Sequence, residues 1–262
     1  MKKMSSREKL KYQLISLVSL ILFVFIWWLV TDGLHLFRPS SMASPITSFN
    51  TLITKLTDKK PEGATLPVHI FSSLRVVLTG FLAGAGFGIP LGIFMAWNKK
   101  FDMMMSPIFD TIRTIPPIAF IPMMIMFLGI GIEAKAAIVF LSSFPPCVLN
   151  AYTGIKQTNP VHIWVAQTIG ASNGTILRKI AIPTAAPMIF TGLKLSLNTA
   201  WMTLVAAELL GATSGLGYMI QMSRMLIRPD IIIVGMLTIG LIGLILSSLL
   251  NYLEILLVKG GY

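Results

Sequence analysis

The sequence predicts an all-α, polytopic membrane protein with six transmembrane helices. Three observations predict it. Of 262 residues, 55% are hydrophobic and only 12% charged, where a soluble domain carries about 25% charge. The mean hydropathy is +0.79. The apolar residues also fall in blocks long enough to cross about 30 Å of hydrocarbon, with the basic residues between them. The net charge of +11 therefore reads as a membrane-orientation signal. Nucleic-acid binding is excluded as a reading, because the basic clusters lack interleaved aromatics and a soluble domain. The single cysteine, Cys147, allows no intrachain disulfide and sits in an apolar run as a small buried hydrophobe.

The first span is expected over residues 14–30. A basic stretch (Lys2, Lys3, Arg7, Lys9, Lys11) precedes it, as in a signal peptide. Trp27-Trp28 at its end, and Thr31-Asp32-Gly33 without a small-residue cleavage site, make it an uncleaved signal anchor. Residues 31–67 form an external loop rich in Pro, Ser and Thr. One short amphipathic helix is expected to start at Pro45 and to carry Ile46, Phe49, Ile53 and Leu56. Residues 1–67 thus form one segment and 68–258 the core domain.

The second span, 74–97, carries Gly80, Gly84, Gly88 and Gly92 on one helical face, which lets another backbone approach closely. The third, within 103–130, holds Pro107, Pro116, Pro117 and Pro122, and the fourth, 134–152, holds Pro145-Pro146. Proline frees carbonyls that protein or cavity water must then meet. Such a bent, polar-lined centre fits a transport path, and a merely structural kink is equally open. The fifth and sixth spans are expected over 183–210 and 231–258.

The N-terminal five cations, Lys99, Lys100, Lys156, Arg178, Lys179 and Lys259 fall on one side. Arg38, Lys55, Lys59, Lys60, Lys135, Arg224 and Arg228 fall on the other. The first set is larger and lies in shorter loops, so both termini are expected in the cytoplasm. Residues 158–183 then form a cytoplasmic loop, too long for a simple connection. They read as two short helices with a sharp turn at Asn173-Gly174.

Charges at membrane depth default to function. Asp110 and Arg113 are one helical turn apart and can pair. Lys194 is expected to snorkel to the surface. Arg113, with Pro116, Thr203 and Glu208, is expected to line or gate the path of a small anionic or zwitterionic solute, since a guanidinium matches sulfonate or carboxylate oxygens. The alternative is an internal ion pair of Arg113 with Glu208 or Asp110. No catalytic or metal set is expected, because His35, His69 and His162 lie far apart without Cys or carboxylate partners at ligand spacing. No P-loop pattern occurs either.

The loop at 158–183 resembles the cytoplasmic Glu-Ala-Ala loop of binding-protein-dependent ABC importer permeases. Ala166, Gly170, Ile180, Ile182 and Pro183 stand at its positions, with Trp164 in place of the usual Glu and Val165 in place of the first Ala. Ala-Gln-x-x-Gly-Ala-Ser at 166–172, Arg-x-x-Pro-Pro-x-Ala-x-x-Pro at 113–122, Phe127-Leu128-Gly129-Ile130-Gly131, Leu204 to Leu209 and Gly215-Leu216-Gly217-Tyr218 are similar to the nitrate/sulfonate/taurine branch, the taurine type in particular. The resemblance covers residues 15–258.

It implies a type I importer permease fold, with a coupling helix between spans four and five that docks on a cytoplasmic ATPase. Ala166, Gln167, Gly170, Ala171 and Ser172 are its implied docking residues, beside the packing role that spacing already gives Gly80, Gly84 and Gly88. It implies a homodimer in the bacterial plasma membrane, served by two ATPase subunits and an extracytoplasmic binding protein. ATP and Mg would be bound by the ATPase and no cofactor by this chain. The implied solutes are taurine and other sulfonates, with nitrate, bicarbonate, riboflavin and thiamine pyrimidine precursors as alternatives. An ion-gradient-driven secondary transporter is the reading from a different class, and an intramembrane enzyme a third.

Overall fold

The computed structural model describes residues 6–258. Lys2, Lys3 and Lys259, which help to orient the chain, lie outside them. Every regular element among the described residues is helical. Helix α1 (Ser6–Trp28) continues through a π-helical turn, Leu29–Gly33. In α2 (Pro45–Lys55), Ser44 Oγ accepts the Thr47 amide and Pro45 takes the first helical position, where its missing N–H costs nothing. Then come α3 (Leu66–Trp97), α4 (Lys99–Arg113), α5 (Ile121–Leu128), α6 (Ile132–Lys156), α7 (Pro160–Thr168) and α8 (Asn173–Ile176). A π-helical turn joins α8 to α9 (Ile182–Leu210), which α10 (Leu216–Met225) and α11 (Pro229–Val258) follow.

Five stretches are long and apolar enough to cross a membrane, and the pair Lys99–Arg113 and Pro117–Leu128 makes a sixth if it is one span. The pair is bent by 78°, so the third span, expected within 103–130 and bent by its prolines, is two helical pieces. The reason is local. Pro116 and Pro117 offer no amide to the preceding turn, and Pro116, standing before a proline, is extended at φ −58°, ψ 128°.

The chain divides into two compact units. The larger, Val68–Tyr218 with the residues from Thr238 on, has α6 against both α3 and α9. A Cβ on Gly80 would sit 2.6 Å from the Ala136 carbonyl oxygen, and one on Gly88 would sit 2.9 Å from Cys147 Cβ. On Gly84 it would overlap Ser143 Oγ, and on Gly92 the Val148 carbonyl. The glycine stripe of α3 therefore lies directly on α6. On the α9 side, a Cβ on Gly192 would meet Asn150 at 2.6 Å. Pro146 removes the amide that would bond the Ser142 carbonyl, and Thr199 Oγ1 of α9 donates to that carbonyl at 3.1 Å. The freed backbone group is thus met by protein.

The smaller unit holds the chain through Pro67 and Met219–Leu237. Trp27 Nε1 donates to the Ala43 carbonyl at 3.1 Å, tying α2 to the end of α1. Lys55 and Glu62 form a buried ion pair, and Ser223 Oγ donates to Glu62 at 2.9 Å. Thr51 Oγ1 donates to Asp230 at 2.9 Å, and Arg228 binds the same carboxylate with two nitrogens.

Candidate functional site

Two places carry the expected site residues. The first is the break in the third span. Arg113 ends α4, and its Nε donates to Asp110 at 2.7 Å. Of the two pairings the sequence allows, this is the one present. Both side chains remain partly exposed. Arg113 and Pro117 help to line a cavity of about 140 Å³, with Ile112, Phe120, Phe144 and Pro145 among the walls. Pro116 is exposed beside it. An interrupted backbone at membrane depth is tolerated where it lines a cavity or is covered by protein.

Thr203 and Glu208 lie elsewhere, on a buried face of α9. Glu208 is 1% exposed. Its carboxylate accepts Ser73 Oγ at 2.8 Å and the Gly217 amide at 2.9 Å, and the buried Lys135 is its electrostatic partner. Ser73 Oγ in turn accepts the Leu216 amide at 2.9 Å, and His69 Nδ1 accepts the Gly215 amide at 3.2 Å. Glu208 therefore acts as a latch that holds the 211–217 turn on α3. This corrects the grouping of Glu208 with Arg113, since its oxygens are committed inside the unit. Lys135 is likewise not a loop charge but a buried residue of the first turn of α6. Lys194 does not snorkel alone, because it pairs with Glu254 of α11.

Sequence reasoning missed Ser73, Glu254 and Arg75. Arg75 is the single Lys, Arg, Asp or Glu within α3, and it is exposed. That one cation in an otherwise apolar run was the available signal.

The second place is the loop around α7. Asn159 Oδ1 caps it by accepting the Val161 amide at 2.9 Å. Its end is set by Gly170 at φ +80°, with Gly170 N–H on the Gln167 carbonyl and Ala171 N–H on the Ala166 carbonyl, both at 3.0 Å. This pair of bonds is the Schellman closure, which wants glycine at the left-handed position. Ser172 then caps α8 by accepting the Thr175 amide at 3.3 Å. The sharp turn therefore falls at Gly170, whereas Asn173 and Gly174 open the next helix. A serine cap leaves the residues after it helical, which moves the expected turn. Gln167 and Ser172 are exposed and Ala171 half-buried. Ala166 is 5% exposed and so faces its own chain. The outward face is Val161, Trp164, Val165, Gln167 and Ile169, which corrects the expectation that Ala166 itself docks.

The model of the family described as the binding-protein-dependent transport system inner membrane component matches residues 88–259. The chain belongs to this family.

It is an ABC importer permease, a non-catalytic membrane subunit. The permease is 34% identical to the taurine transport system permease protein TauC of Escherichia coli over 240 residues, covering 92% of this chain and 87% of that one. It is 29% identical to the aliphatic sulfonates permease SsuC of Bacillus subtilis, covering 88% and 86% of the two. It is also 29% identical to the nitrate permease NrtB of Synechocystis, covering 92% and 88%. Among solved structures, an inward-facing MetNI methionine ABC transporter matches with a TM-score of 0.59 at 20% identity, covering 72% of the permease and 93% of that chain. An amino acid ABC transporter solved with histidines matches with a TM-score of 0.56 at 15% identity, covering 82% and 97%. The expected type I importer fold is therefore the fold of this permease.

Proposed function

We propose that this permease, paired with a second copy of itself, forms the membrane path of an ATP-driven importer for a small sulfonate, with taurine foremost. The observation that carries the reading is the broken third span. Arg113 and Pro116 stand at an interruption that is exposed on a single chain and would be enclosed by a partner copy. A guanidinium offers a planar fork of donors to sulfonate oxygens. The likeness to a taurine permease along most of the chain supports the same solute class. Nitrate or bicarbonate import uses the same anion chemistry and is favoured by the more distant relatives.

In this reading both termini and the α7 loop face the cytoplasm, and two ATPase subunits, which bind ATP and Mg, seat against α7. Their closure swings the spans as rigid bodies. A separate extracytoplasmic binding protein delivers the solute and sets most of the specificity. Glu208 holds its turn, and Thr203 is buried on the same helix.

The test is uptake of labelled taurine, nitrate and bicarbonate by vesicles carrying the whole complex. ATP-dependent taurine uptake, lost in Arg113→Ala with assembly and ATP hydrolysis intact, is the expected result. Uptake that persists without ATP while a proton gradient remains would point to a secondary transporter. ATP-driven uptake of nitrate or bicarbonate alone would replace the solute and keep the machine.

A further inference from the structure

Helix α2 is amphipathic, yet it is packed the wrong way round for a soluble helix. Its buried residues are Ser48 and Lys55, and Thr51 on the same side is bonded to Asp230. Its large apolar residues, Ile46, Phe49, Ile53 and Leu56, are all exposed, with Phe49 at 62%. Their spacing of three, four and three puts them on one stripe of the helix. Thr47, Asn50 and Thr54, also exposed, form a separate polar strip beside it. The helix therefore has three sides: one fixed to its own unit, one apolar and bare, one polar and bare.

Its position says what covers the apolar side. The Trp27 indole holds the residue before the α2 cap, so the helix starts beside the last turns of α1. The first span, Leu14–Gly33, is itself almost wholly uncovered by protein, with 6% buried. A stretch this long and apolar crosses the hydrocarbon, so its end marks the membrane surface. Leu34, Leu36 and Phe37, on the connection from this span to α2, are exposed apolar residues of the same unit. Exposed cations flank the same stretch, Arg38 before the helix and Lys59 and Lys60 after it, and such long side chains keep their charged ends in water at a membrane interface.

We infer that α2 lies in the membrane interface, parallel to the surface, with Ile46, Phe49, Ile53 and Leu56 in the acyl boundary and Asn50 and Thr54 toward water. An interfacial helix of this kind sinks its apolar side about 5–10 Å. Through Lys55, Thr51 and Trp27, the lipid surface then sets the height of the whole smaller unit against the bilayer.

Single cysteines at Phe49, Ile53, Asn50 and Thr54 in a Cys147→Ala background would be spin-labelled in the full chain, purified with its accompanying subunits. The complex would be reconstituted in phosphatidylethanolamine vesicles with a minority of phosphatidylglycerol. All four side chains are exposed, so the label displaces no packing. The expected result is an oxygen-to-nickel-chelate accessibility ratio several-fold higher at positions 49 and 53 than at 50 and 54. Equal, water-like ratios at all four would overturn the inference. So would spin–spin broadening at 49 that disappears on dilution with unlabelled chain, because a second copy would then be the cover.

Discussion

At the scale of single residues, two side chains bear most of the argument. Glu208 accepts from Ser73 and Gly217 in a buried setting and faces Lys135. Glu208→Ala leaves two donors and a buried cation uncompensated, at a cost of about 3 kcal/mol or more. Thermal unfolding of the detergent-solubilised protein should show a lowered midpoint, with Glu208→Gln between it and the parent. An unchanged midpoint in Glu208→Ala would remove the latch. Ile227 is the opposite case. It closes α10 in the same way Gly170 closes α7, with Ile227 N–H on the Arg224 carbonyl and Arg228 N–H on the Ser223 carbonyl. Yet it is β-branched at φ 54° and 67% exposed. The left-handed conformation costs it about 1–2 kcal/mol, and asparagine tolerates that conformation better. Ile227→Asn should therefore stabilise the protein by about 1 kcal/mol in the same unfolding measurement.

At the scale of elements, the contact of α3 with α6 depends on the absence of side chains. Gly80→Ala pushes a methyl into the Ala136 carbonyl and Val139, and such overpacking typically costs about 1–3 kcal/mol. Gly86, on the same helix, has nothing within 4 Å of an added Cβ. Gly86→Ala should be neutral or slightly stabilising, since alanine favours helix by up to about 1 kcal/mol over glycine. The pair of variants, compared by yield of monodisperse protein and by unfolding midpoint, separates packing from propensity. Two equally harmful substitutions would show that helix geometry, not the α6 contact, sets the requirement.

At the scale of the whole molecule, α7 offers the surface through which another subunit would act. Trp164 is 63% and Ile169 80% exposed, on a short helix fixed at both ends by caps. Ile169→Asp changes nothing inside the chain, so the protein should still insert and unfold as the parent does. Co-purification of a nucleotide-hydrolysing subunit should fall by an order of magnitude or more, as for an apolar hot spot replaced by charge. Retained co-purification would move the contact elsewhere. Gly170→Ala, which meets no atom but strains φ +80°, should weaken the same association less.

The sequence alone determined the order of the apolar stretches, the glycine face of α3, the short helix at Pro45 and the family, because length, periodicity and motif spacing are properties of a linear string. It also contained the Gly170 closure and the Ser172 cap, but Asn173-Gly174 is the louder local signal and points to a turn that lies one helix too late. Tertiary structure decided the rest. Only folding shows that Pro116 and Pro117 break a span rather than bend it, that Glu208 serves Ser73 and Gly217 while Arg113 serves Asp110, and that Lys194 meets Glu254. Charges within the spans take whichever partner three-dimensional proximity supplies. Proximity between residues 73 and 208, or 194 and 254, is set by how helices pack and leaves no mark on either stretch of chain.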